Sequence, residues 1–130
     1  MKPRFIAVAL LVAITAVAAP VDPFLSRSDV RDAITTIRKE TAKEHLEVIA
    51  LVHQDHIDYT TGSGEDCQFM WTPGIIAVFH SHPDNKFYHP SPDDIKLATT
   101  MHIPNYVVTS SQLWVVTPDG KVSQVAEKGE

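Results

Sequence analysis

The residues best placed to do chemistry are His80-Ser81-His82-Pro83 and, a short way downstream, Ser91-Pro92-Asp93-Asp94. Two histidines one residue apart, where the apolar run Gly74 to Phe79 ends, project to the same side of an extended backbone. Neutral imidazole and carboxylate are ligands that divalent zinc prefers. A catalytic zinc site uses three protein ligands and leaves a fourth position to water. The third ligand is on offer nine to twelve residues after His82, where Ser91 opens a predicted helix carrying Asp93 and Asp94. Alone, a His-x-His reads as a solvated polar loop. The Ser-x-x-Asp that follows turns the reading toward a metal.

The elements that must position these residues can be taken in order. Ser26 or Ser28 is a candidate cap for a first helix, with Ser26-x-x-Asp29 resembling a capping box. Val30, Ala33, Ile34 and Ile37 recur at helical steps, so Arg31, Asp32, Arg38, Lys39 and Glu40 fall mostly on a wet face. Glu47 to His53 reads as a strand, Gln54-Asp55 as a turn and His56 to Thr61 as its antiparallel partner. Gly74 to His80 is a second apolar run suited to a central strand. Behind the Ser91 cap, Pro92 fits the first helical position, and Ile95, Leu97, Ala98 and Met101 would face the core. Tyr106 to Thr109, Leu113 to Val116 and Val122 to Val125 read as strands, with a turn at Pro118-Asp-Gly120 and a frayed tail from Glu127. This order predicts an α+β fold, a mixed and mostly antiparallel sheet flanked by helices.

Length and composition bound the function. The 130 residues allow one domain, and 44% hydrophobic content argues for a packed globule. Lys2 and Arg4, the apolar run Phe5 to Val17 and the small residues Ala16-Val17-Ala18 predict a signal peptide over 1–18, leaving a single domain over 19–130. The apolar run is shorter than the ~20 residues a membrane span needs. The expectation is an exported, periplasmic or secreted bacterial-type protein with no stable span after cleavage. The chain carries a formal charge of −5, and removing Lys2 and Arg4 makes the remainder more acidic. Such a surface repels phosphate backbones, so nucleic acid is not expected as a partner. Cys67 is the single cysteine, which excludes an internal disulfide; it reads as a half-buried small residue rather than a nucleophile.

His80-x-His82 followed by Ser91-x-x-Asp94, with an upstream glutamate, resembles the JAMM (JAB/MPN) zinc metalloprotease domain family, over roughly residues 26 to 126. The resemblance implies a JAB/MPN-like fold with cytidine-deaminase-like layering, and hydrolysis of peptide or isopeptide bonds by a zinc-bound water. It implies that His80, His82 and Asp94 bind zinc and that Ser91 donates to the oxyanion. The upstream glutamate would move the proton from the water to the leaving amine. The family usually has seven residues between the second histidine and the serine, whereas eight stand here, Pro83 to Pro90. Keeping the serine–aspartate spacing selects Asp94, and keeping the histidine–aspartate spacing selects Asp93. Asp94 is preferred, because a loop absorbs an insertion more easily than a helix start. The glutamate is Glu44 or Glu47, with Glu47 preferred as the residue that begins a strand. His89, Phe87 and Tyr88 lie in the lengthened loop, where they could touch substrate or pack over the site. His45, His53, His56 and His102 are expected at the surface or core edge, and Trp71 and Trp114 in the core. The partner expected is a peptide or protein substrate. The alternatives are a non-catalytic metal-binding scaffold of this fold and a cell-wall amidase or toxin-type effector.

Overall fold

The computed structural model describes residues 22–62, 71–82 and 89–127, so the proposed signal peptide, Cys67, Phe87 and Tyr88 lie outside the described residues. The fold is α+β: a six-stranded mixed sheet with two α-helices. Helix α1 spans Ser28–Glu44 and is followed by β1 (Glu47–Val52), β2 (Ile57–Gly62) and β3 (Ala77–Ser81). Helix α2 (Pro92–Met101) then leads to β4 (Asn105–Val108), β5 (Leu113–Val116) and β6 (Val122–Gln124). The strand order is β2-β1-β3-β4-β5-β6. Every neighbouring pair is antiparallel except β3 and β4, which are parallel and joined through α2. A parallel pair needs such a crossover, whereas antiparallel neighbours can be joined by a tight turn. Among the described residues no helix is long and apolar enough to cross a membrane.

Alternation along the strands separates two faces. Val48, Ala50 and Val52 of β1, with Ala77 and Phe79 of β3, pack with Val30, Ala33, Ile34 and Ile37 of α1. Phe79 stacks on Tyr106 at 4.0 Å between ring centroids, and the Tyr106 hydroxyl donates to Asp22 Oδ2 at 2.5 Å. The other face carries a smaller apolar cluster of Ile49, Leu51, Ile75, Val78 and Ile103, closed by Leu97 and Met101 of α2. His80, opposite Ile49, lies on this second, thinner side.

Several local expectations are corrected. Neither serine caps α1: its N-cap is Arg27, with no capping side chain, while the Ser26 hydroxyl donates to Pro23 O within a 3-10 turn, Pro23–Ser26. Asp29 is held by the Arg27 guanidinium at 2.7 and 3.0 Å, not by a cap. Arg38 is not merely solvated. It donates to the carbonyls of Thr109 and Gln112 and forms a two-pronged pair with Glu127, which holds the residue where fraying was expected to begin. Strand β3 begins three residues later than the apolar run because Gly74 sits in a turn at φ +93°, a conformation suited to glycine. Trp71 is exposed rather than in the core.

Candidate metal centre

The strand carrying the histidines ends under the first turn of α2. His80 is opposite Ile49 of β1 in the antiparallel ladder, and both point to the α2 face. Continuing that register by two pairs sets Glu47 opposite His82, so Glu47, His80 and His82 share one face. Ser81, between the histidines, points the other way. Its hydroxyl is 2.5 Å from that of Thr41 in α1 and accepts from the Val48 N–H at 3.1 Å. A side chain thus splices β1 to the end of β3 where the regular ladder stops, which fixes the backbone between the two imidazoles.

Helix α2 delivers the carboxylate. Ser91 and Asp94 form a reciprocal capping box: Ser91 Oγ accepts from the Asp94 N–H at 3.2 Å, and Asp94 Oδ2 accepts from the Ser91 N–H at 2.8 Å. The same carboxylate meets both histidines, with His80 Nε2 2.9 Å from Oδ1 and His82 Nε2 3.0 Å from Oδ2. The imidazoles are tilted by 58° with centroids 5.3 Å apart, so their nitrogens reach one aspartate from different sides. Asn105, at the start of β4, donates to the main-chain carbonyl of Asp94 at 3.1 Å and ties the turn to the sheet. His80 is fully buried and Asp94 is 3% exposed. Burial pushes the Asp94 carboxyl up. Hydrogen bonds with His80 and His82 and from the Ser91 N–H outweigh it and hold the group well below the usual carboxylate range.

The two alternatives are placed very differently. Asp93 faces solvent, one helical step from Asp94. Glu44 is exposed at the end of α1, whereas Glu47 is 1% exposed on β1. The Glu47 carboxylate occupies a cradle made by a glycine: Gly62 is its partner across β1 and β2, and a Cβ there would stand 2.8 Å from Glu47 Oε2. His89 is exposed, its ring edge-on to Trp114 at 6.4 Å, outside the group formed by His80, His82 and Asp94.

The donor set suits a divalent ion. One ligand atom each from His80, His82 and Asp94 lies within 4.8 Å of the others. Bonds of 2.0–2.2 Å in a tetrahedron place ligand atoms roughly 3.3 Å apart. His80 Nε2 and His82 Nε2 stand 2.9 and 3.0 Å from different oxygens of the Asp94 carboxylate, so an ion held by one of these oxygens requires the carboxylate to turn as well as the edges to open. His80 Nδ1 is buried with no hydrogen-bond partner among the described residues.

Sequence reasoning missed four supports of this group. Gly62 and Asn105 act through pairing across the sheet, which no local spacing reveals, and Ser81 and Thr41 through a contact spanning 40 residues. It also missed a second assembly. His53 and His56, expected separately at the surface or core edge, converge with Asp58 at the turn between β1 and β2, so among the described residues two His/His/Asp groups could hold a metal ion. The signal was present as His53-x-x-His56-x-Asp58 around a two-residue turn, where cross-strand pairing brings both rings to one face. No family model, curated protein or solved structure matches the chain.

Proposed function

We propose that this chain is an exported zinc-dependent hydrolase of a peptide or isopeptide amide bond, with a JAB/MPN-like fold. The observation that carries the reading is the convergence of His80, His82 and Asp94 on the sheet face that also holds buried Glu47. A zinc ion held by His80, His82 and Asp94 supplies Lewis-acid polarisation of the scissile carbonyl and a water ionised near neutral pH.

The chain's own residues supply the rest. Glu47 accepts the proton of the attacking water and returns it to the leaving amine, the work of a carboxylate general base and acid. Its site beside Gly62 confines the carboxylate to the face of the histidines. Ser91 caps α2 with an acceptor lone pair, which leaves its hydroxyl proton to donate to the developing oxyanion. Asp94 combines two tasks. The Ser91 N–H orients its Oδ2, so the helix start that places the serine also aims the carboxylate.

The test is metal content together with turnover. Purified protein is expected to carry one tightly held zinc and to cleave members of a peptide library. Chelation is expected to remove both, and zinc to restore both. Full zinc occupancy with every peptide and isopeptide substrate left intact would favour the scaffold reading.

Gly62→Ala offers a finer check. Its methyl group would stand 2.8 Å from Glu47 Oε2, so the carboxylate must shift. Displacements of about 1 Å around a reacting centre cost on the order of 100-fold. A fall in kcat of about that size with unchanged zinc content is expected; unchanged kcat would remove Glu47 from the chemistry or the glycine from its support.

A further inference from the structure

We propose that the turn joining β1 and β2 is a second, separate site for a divalent transition-metal ion, bound through Nε2 of His53, Nε2 of His56 and the carboxylate of Asp58. The turn builds the site. The His53 N–H donates to His56 O at 2.8 Å, so the two residues face each other just beyond the Val52–Ile57 pair. Directly opposed residues share a sheet face, and Asp58, two residues along β2, returns to the same face. The rings accordingly stack with centroids 4.3 Å apart and planes within 6°.

The distances fit an ion. Asp58 Oδ2 lies 3.2 Å from His53 Nε2 and 3.4 Å from His56 Nε2. Tetrahedral bonds of 2.0–2.2 Å require ligand atoms roughly 3.3 Å apart, so two of the three edges are already in place. Closing the third requires the stacked rings to splay, and His56, about half exposed, has room to turn.

Two further observations point to a ligand. His53 is 8% exposed, and its buried Nε2 approaches the Asp58 carboxylate without making a hydrogen bond. His56 Nδ1 is 2.7 Å from Asp55 Oδ1, so the neutral tautomer with its proton on Nδ1 has an acceptor there and keeps the Nε2 lone pair for an ion. A carboxylate behind the far nitrogen is the usual outer support of a metal-bound histidine. Arg27 is the nearby cation. It donates to His53 O at 2.7 Å, steadying the backbone, while its charge is matched by Asp29. Two imidazoles and one carboxylate favour zinc, copper or nickel over calcium or magnesium, which require mostly oxygen ligands.

This ion does not share the first centre. His53 lies six residues along the chain from Glu47, about 20 Å of extended strand. Its effect is on register: it fastens to β1 the start of β2, whose far end holds Gly62 against Glu47.

The experiment is calorimetric titration of the full chain with Zn2+. With His80→Ala and His82→Ala together, one equivalent is expected to bind. Adding His56→Ala is expected to weaken it at least about tenfold, and Asp55→Asn, which spares the ligands, to weaken it about tenfold. No binding in the double variant, or binding indifferent to His56→Ala, overturns the proposal. Should the double variant not fold, the unmodified chain is compared with His56→Ala/Asp58→Asn. Two equivalents falling to one support the second site, and equal stoichiometry overturns it.

Discussion

Replacing Glu47 with glutamine is expected to lower kcat for amide hydrolysis by about 10²–10⁴-fold, the range a positioned general base supplies, while zinc content stays at one tightly bound ion. The substitution keeps volume and shape, so the Gly62 cradle and the β1–β2 register should survive. It removes only the capacity to take a proton. The readouts separate the roles cleanly: zinc by elemental analysis reports the ligands, and single-turnover cleavage reports the base. Loss of zinc with loss of activity would make Glu47 a ligand or a structural residue. Unchanged cleavage would shift attention to another base. Glu44→Gln is the internal control. Glu44 is exposed at the end of α1, paired only loosely with Lys43 at 3.9 Å, and its amide is expected to leave turnover unchanged.

What the sequence disclosed follows the range of the interactions involved. The α+β class, the hairpin of β1 and β2 and the helix opening at Ser91 were legible because each rests on local periodicity, turn residues or capping. The same locality favoured Asp94 over Asp93, since a capping box relates residues three apart. The start of α1 misled for a related reason: Ser26-x-x-Asp29 has the capping spacing, but the Arg27 guanidinium takes Asp29 and a 3-10 turn takes Ser26. Contacts distant in sequence stayed hidden. Arg38 reaching Glu127, Gly62 making room for Glu47 and Asn105 holding the Asp94 carbonyl all depend on strand order and register. The His53, His56 and Asp58 group lies between these cases. Its spacing was visible, but its meaning required knowing that both rings fall on one face of a tight hairpin.

Removing the aspartate ligand is expected to produce the largest loss of metal, and the contrast between neighbours is the sharpest test of the assignment. Successive helical residues point about 100° apart, so Asp93 and Asp94 cannot both face His80 and His82. Asp94 does, and Asp93 points to solvent. Asp94→Asn keeps one acceptor oxygen but puts an amide donor where a second acceptor served two partners, and it deletes the negative charge that offsets a divalent ion. Zinc affinity is expected to fall by more than about 100-fold, beyond the 10–100-fold that losing an outer partner costs. The metal-free fold is expected to lose about 1–3 kcal/mol, because Oδ1 and Oδ2 are buried and hydrogen-bonded. His82→Ala should likewise lose zinc and hydrolysis, yet leave the capping box intact, so its stability cost should be the smaller. Asp93→Asn is expected to change neither zinc content nor turnover and to move stability by no more than about 0.5 kcal/mol. Competition titration against a chelator and thermal unfolding of the metal-free forms measure both quantities. If Asp93→Asn lost the metal and Asp94→Asn kept it, the capping geometry would be a bystander and the ligand set would have to be redrawn around the other face of α2.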